Sequence, residues 1–207
     1  MMLFTLLRRR SIKFVVAGTF LLIPILLGIC DYTREKEIAL MIGEPWEDMR
    51  QRSSARIDPA IPGETWFRVP KSDTRLRFID PHYGFVTPVG RFFTVSFDAN
   101  ESIRSARMSP QIKPLLLEET LEVVMGLQAQ WREKGWELVR LESNPPFADT
   151  PQWRSQLRDI NKGGVTYWRA GERFQVMLIV NRFRDDSRPT EERYLITLSL
   201  STPWGKP

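Results

Sequence analysis

Residues 14–30, FVVAGTFLLIPILLGIC, constrain this chain more than any other stretch, because 17 successive residues carry no charge. As a helix they extend about 25 Å at roughly 1.5 Å per residue. That is close to the lower limit for crossing a hydrocarbon core about 30 Å thick. Ile12 lengthens the run while Lys13 reaches for the headgroups, and a membrane helix tolerates the mid-span Pro24. Arg8, Arg9, Arg10 and Lys13 lie before the run; Arg34 and Lys36 lie after it, interleaved with Asp31, Glu35 and Glu37. The positive-inside rule then predicts a basic cytoplasmic tail at 1–13, a transmembrane anchor at 14–30 and an exported remainder, 31–207. Three fates of the span stay open. The leading one is an uncleaved signal anchor. In a lipoprotein, Cys30 would be acylated, and Leu27-Gly28-Ile29-Cys30 is lipobox-like apart from the bulky Ile29. A cleaved signal peptide needs small residues that Gly28-Ile29-Cys30 does not supply. All three export the domain, and a bacterial inner membrane facing a periplasm is the expected setting.

The pI near 9.6 does not imply nucleic acid. Four of the 30 Lys/Arg precede residue 31, where there is no Asp or Glu, which leaves 26 basic against 25 acidic residues in the exported part. There is no basic excess to drive counterion release, so no nucleic-acid partner is expected. The single cysteine lies in the span, so the exported part has no disulfide. Its length suffices for a hydrophobic core without staples.

Residues 31–63 read as a juxtamembrane stalk and short helix, the helix opening at Gly43-Glu44-Pro45-Trp46 and ending at the prolines 59 and 62. Residues 64–207 read as an α+β periplasmic domain, with a split into two lobes near 110 left open. Strands are expected where Leu76 and Phe78, and Phe93, Val95 and Phe97, alternate with polar residues. A long helix is predicted over roughly 110–134, started at Pro110 or Pro114 and stopped at Gly135. Thr150-Pro151 caps a second short helix with Trp153, Leu157 and Ile160 inward. The chain ends in strands: Val165–Arg169, Arg173–Phe183 and Tyr194–Ser201, with Met177–Val180 apolar on both faces and so central. The expected fold is α+β, an antiparallel sheet packed with one long and two short helices behind an N-terminal transmembrane helix.

Within this order, IGEPWEDMRQRS and FFTVSFDANESIRSARM resemble the opening and closing segments of small envelope modules of the β-lactamase-inhibitor-like kind. RFIDPHYGFVTP, RMSPQIKPLLLEETLEVV and WREKGW are similar to segments of anchored, uncharacterised proteobacterial envelope proteins, a group associated with type VI secretion loci and immunity. The resemblance implies an immunity role and transfers no functional residue.

No catalytic constellation emerges. His82 is the only histidine; a Ser-His-Asp mechanism would have to pair it with Asp80, and no G-x-S-x-G names the serine. One histidine and no exported cysteine argue against zinc. Asp185-Asp186 with Glu191-Glu192 could offer oxygen ligands to a hard cation, but Arg182, Arg184 and Arg188 are interleaved with them. No metal, cofactor or catalytic residue is expected. Trp66, Tyr83, Phe85 and Trp204 fall near turns or ends, where aromatic side chains can reach the surface and serve as interface anchors. The loop 80–88 makes Asp80, His82, Tyr83 and Phe85 the candidate protein interface. The sequence thus implies a protein-binding protein tethered to the bilayer. A structural accessory subunit of an envelope machine and an envelope hydrolase are the alternatives.

Overall fold

The computed structural model describes residues 35–184, 186 and 188–204. The predicted tail, span and first stalk residues, and Asp185 of the acidic loop, lie outside the described residues. Among the described residues no helix is long and apolar enough to cross a membrane. From Lys36 on, the described residues form one compact unit, and among them are two sheets and three helices in a mixed α+β fold.

The larger sheet is antiparallel throughout. Its strands are β2 (Trp66–Arg68), β5 (Phe93–Phe97), β6 (Ile103–Met108), β7 (Glu137–Val139), β8 (Gly164–Ala170), β9 (Phe174–Phe183) and β10 (Arg193–Ser201), in the order β2-β5-β6-β10-β9-β8-β7. It runs on across position 110, because β6 pairs with β10 from Leu198↔Met108 to Ser201↔Ser105. The middle place belongs to β10; β9, expected there, is its neighbour. Alternation in β10 works as the pattern predicts, with Tyr194, Ile196, Leu198 and Leu200 all sealed inside.

The smaller sheet holds β1 (Glu37–Leu40), β3 (Arg75–Phe78) and β4 (Phe85–Val86). The stretch 37–40, expected in the juxtamembrane stalk, is thus a fully buried strand, and it pairs in parallel with β3. Burial of Glu37 is offset by Arg75 and Arg77, whose guanidinium groups lie 3.2 and 3.0 Å from its carboxylate. The hydroxyls of Ser54 and Ser53 accept from the Glu37 and Ala39 amides at 2.9 and 3.0 Å, closing the other edge of β1. Those serines follow helix α1 (Trp46–Arg52), which starts after Pro45 as expected and buries Met49.

Helix α2 spans Leu117–Glu133, starting seven residues after Pro110 and three after Pro114, the two starts the sequence offers. Tertiary pairing takes those residues. The Leu115 amide donates to the Tyr194 carbonyl at 3.0 Å and the Tyr194 amide donates back at 2.9 Å. The Gln111 amide donates to the Tyr194 carbonyl at 3.0 Å and accepts from Ile196 at 2.7 Å. Glu119 then caps the helix by accepting from the Leu116 amide at 2.8 Å. At the far end Gly135 takes φ +71°, as its place after the last turn requires. Mid-helix Gly126 faces open space, so no close approach explains it. Helix α3 (Pro151–Arg158) is capped by the Thr150 hydroxyl, which accepts from Trp153. Leu157 is buried as expected, whereas Ile160 is exposed, because the helix ends before it.

Gln111 is one of three glutamines that act as short pieces of strand. Gln130 on α2 donates to the Val86 carbonyl and accepts from its amide, both at 3.0 Å. Gln128 does the same for Phe147 at 2.8 and 2.9 Å. Each amide satisfies two backbone groups that burial would otherwise leave costly. Between the sheets and α2 lies an aromatic cluster. Phe85 sits within 5.7–5.8 Å of Phe78, Trp131 and Trp136, and Trp168 and Phe174 extend the cluster. Burying such rings contributes roughly 1.5–3 kcal/mol each.

Candidate functional site

The loop expected to form an interface is largely built into the core. Phe85 is 3% exposed at the centre of the aromatic cluster, because β4 pairs with β3 and turns its ring inward. Asp80 is also buried. Its Oδ1 accepts from the main-chain amides of His82 and Tyr83 at 3.0 and 2.9 Å, and Arg173 lies 3.1 Å from Oδ2. Gly84 closes this turn so tightly that a Cβ there would stand 2.7 Å from the Asp80 carbonyl oxygen. Asp80 therefore holds the turn through backbone groups and does not orient the His82 imidazole as a triad aspartate would. His82 is exposed with its ring edge-on to half-buried Tyr83 at 4.6 Å. The Tyr83 carbonyl accepts from the Trp136 indole at 2.9 Å. Of the four expected residues, His82 and part of Tyr83 reach the surface.

In the acidic loop, Glu191 meets Arg188 and Arg193, and Glu192 lies 3.4 Å from Arg158. Among the described residues no group of three or more His, Cys, Asp or Glu side chains converges as a metal site would require.

A concave site does exist, on the other face of the large sheet. The strand registers align Phe67, Ser96, Ser105 and Ser201 side by side across β2, β5, β6 and β10. Gln175, Arg169 and Glu137 continue the row across β9, β8 and β7. The hydroxyls of this row floor a groove of about 770 Å³ between Trp66 and Phe67 at one side and Trp204 at the other. That volume falls in the range of ligand-sized clefts, about 300–1,000 Å³. The Trp66 and Phe67 rings stack at 5.5 Å and 17°, a flat two-ring platform that is 51% and 47% exposed. Trp204 is 46% exposed and stands edge-on to Tyr167 at 6.4 Å, with the Arg140 guanidinium over the Tyr167 ring at 5.4 Å.

Two local features shape the groove. Pairing of β5 with β6 skips Arg104, so that Ser96 opposes Ser105 while Phe97 opposes Ile103. This bulge leaves Arg104 and Ser105 both lining the groove. Asp98 at the rim is occupied by the turn, its Oδ1 accepting from the Asn100 and Ser102 amides at 2.9 and 3.0 Å. The β2 edge beside the groove is flanked by residues 56–59: the Lys71 amide donates to the Arg56 carbonyl, and the Arg68 guanidinium to the Pro59 carbonyl.

Trp66 and Trp204 were visible in the sequence as aromatic residues near turns or ends. Their convergence with Ser96 and Ser105 depends on registers between distant strands. No protein-family model, curated protein or solved structure matches this chain.

Proposed function

We propose that this chain is a membrane-anchored periplasmic protein-binding protein that occludes or scaffolds its partner, and that the groove on the open face of the large sheet is its working surface. One observation carries the reading. Of the eleven large apolar side chains exposed among the described residues, Trp66, Phe67 and Trp204 gather around one concavity. Trp, other aromatics and Arg are the residue types that dominate protein interfaces when they cluster around a pocket. The anchor rests on residues 14–30 and the basic flank before them. The most concrete form is an immunity protein that blocks an exported type VI toxin, supported by the resemblance of the segments around 77–88 and 107–136. Occlusion needs a rigid surface held where the toxin acts, and no reacting group.

The test is affinity capture with the full chain in detergent from native envelope. Wild type is compared with the Trp66→Ala/Trp204→Ala variant. A stoichiometric exported toxin retained by wild type and lost by the variant supports the proposal. Several components of one envelope machine would favour an accessory subunit instead. Capture that survives the double change would move the interface elsewhere.

A further inference from the structure

Two exposed arginines on the open face of β6 lack a partner among the described residues, whereas the carboxylate in the groove lining, Asp98, is tied to its own turn through Oδ1. Arg104 lines it and Arg107 stands three residues further along β6, with its Cα opposite Thr94 and Ser199 on the same open face. Both are exposed. Among the described residues neither guanidinium makes a hydrogen bond or ion pair, unlike Arg91 nearby in sequence, which meets Asp73 at 3.3 Å. The carboxylate at the rim, Asp98, is engaged with backbone amides. The hydroxyls of Ser96 and Ser105 add neutral donors to the same floor, whereas that of Ser201 donates to the Thr202 carbonyl at 2.7 Å.

We infer that the groove takes an acidic segment of a partner polypeptide, its carboxylates paired with Arg104 and Arg107 and an apolar side chain held between the Trp66–Phe67 platform and Trp204. The inference rests on the protein-binding reading and specifies the partner's chemistry. Guanidinium groups recognise carboxylates through two parallel N–H donors, and unpaired exposed arginines speed encounter with an acidic partner. A neutral sugar chain would use the rings and hydroxyls but leave both arginines idle. A bilayer is planar and would not enter a walled concavity.

The test uses the full chain in neutral detergent and a dansyl-labelled short peptide alternating Glu with Leu, alongside the same peptide with Gln for Glu. The Glu peptide is expected to bind, to weaken at least about tenfold in Arg104→Gln/Arg107→Gln, and to weaken again as salt rises from about 0.05 to about 0.5 M. Arg91→Gln, which removes an arginine already paired, is expected to leave binding unchanged. Equal binding of the Gln peptide, or binding indifferent to the two arginines, would overturn the inference. So would binding of chitin oligosaccharides or phosphatidylglycerol vesicles in place of the peptide. Circular dichroism of each variant is expected to match wild type, because the substituted side chains are exposed. The captured partner separates the two levels. If Trp66→Ala/Trp204→Ala releases it and the arginine pair does not, the charge assignment fails and the binding reading stands; if neither releases it, both fail.

Discussion

The two faces of the seven-stranded sheet use aromatic residues in opposite ways. On the inner face, Phe85, Trp131, Trp136 and Trp168 are sealed against one another and against α2. On the open face Trp66, Phe67 and Trp204 surround a floor of serines and stay half exposed. Ring chemistry is the same on both; what differs is the covering. Helix α2 and the small sheet cover one face, whereas the other receives the short tail that brings Trp204 over Tyr167. The inner rings are therefore expected to act on stability and the outer rings on binding.

The largest effect that sharpens this contrast is expected at the centre of the inner cluster. Trp131→Ala removes a fully buried ring between Phe85, Trp136 and Trp168, with an expected loss of about 3–5 kcal/mol by denaturant titration. Trp66→Ala, by contrast, is expected to move stability by no more than about 0.5 kcal/mol. A comparable loss at both sites would break the comparison.

Next comes Gln130→Leu. It leaves the Val86 amide and carbonyl without the side-chain amide that pairs with both. The expected cost is about 1–3 kcal/mol, with faster hydrogen exchange at the Val86 amide as the local check.

Gly126→Ala is expected to stabilise, by about 1 kcal/mol, because the added methyl meets nothing and the helix gains propensity. A loss of stability would mean that something packs on this exposed side of α2.

A pH effect also belongs to the inner face. Burial pushes the Tyr194 phenol up to about 12 from its ordinary value of 10, helped by the Glu192 charge. The folded value lies above the unfolded one. The stability tied to the neutral phenol is then fully present below about pH 10 and is lost as pH climbs toward 12. Absorbance of the ionised phenol should rise together with loss of near-ultraviolet circular dichroism in that window. Tyr194→Phe should remove that component of the alkaline loss.

Much of this fold was legible in the sequence where signals are local. Alternation located β5 and β10, Gly135 located the end of α2, and Thr150-Pro151 located the start of α3. Non-local pairing defeated the pattern elsewhere. The parallel strand β1 finds its partner 38 residues on, and its glutamate is neutralised by arginines from that partner. Apolar spacing extended α2 backward through Leu116, yet Gln111 and Leu115 were claimed by Tyr194 and Ile196. At the candidate site, residue type was readable and exposure was not. Trp66 and Phe85 look alike in sequence, each in a turn-flanked stretch; β4's pairing with β3 buries one, and an edge position in β2 exposes the other. The groove itself needed the register that aligns Phe67 with Ser201.

The central claim is that the open face binds and the inner face folds. Its most direct test is one titration of the captured partner against the full-length chain, wild type and Trp66→Ala/Trp204→Ala side by side, with thermal unfolding of both proteins measured in the same buffer. The account predicts an unchanged unfolding midpoint together with at least about a hundredfold weaker binding, as expected when two interface anchors are removed. Unchanged affinity with an intact fold would contradict it.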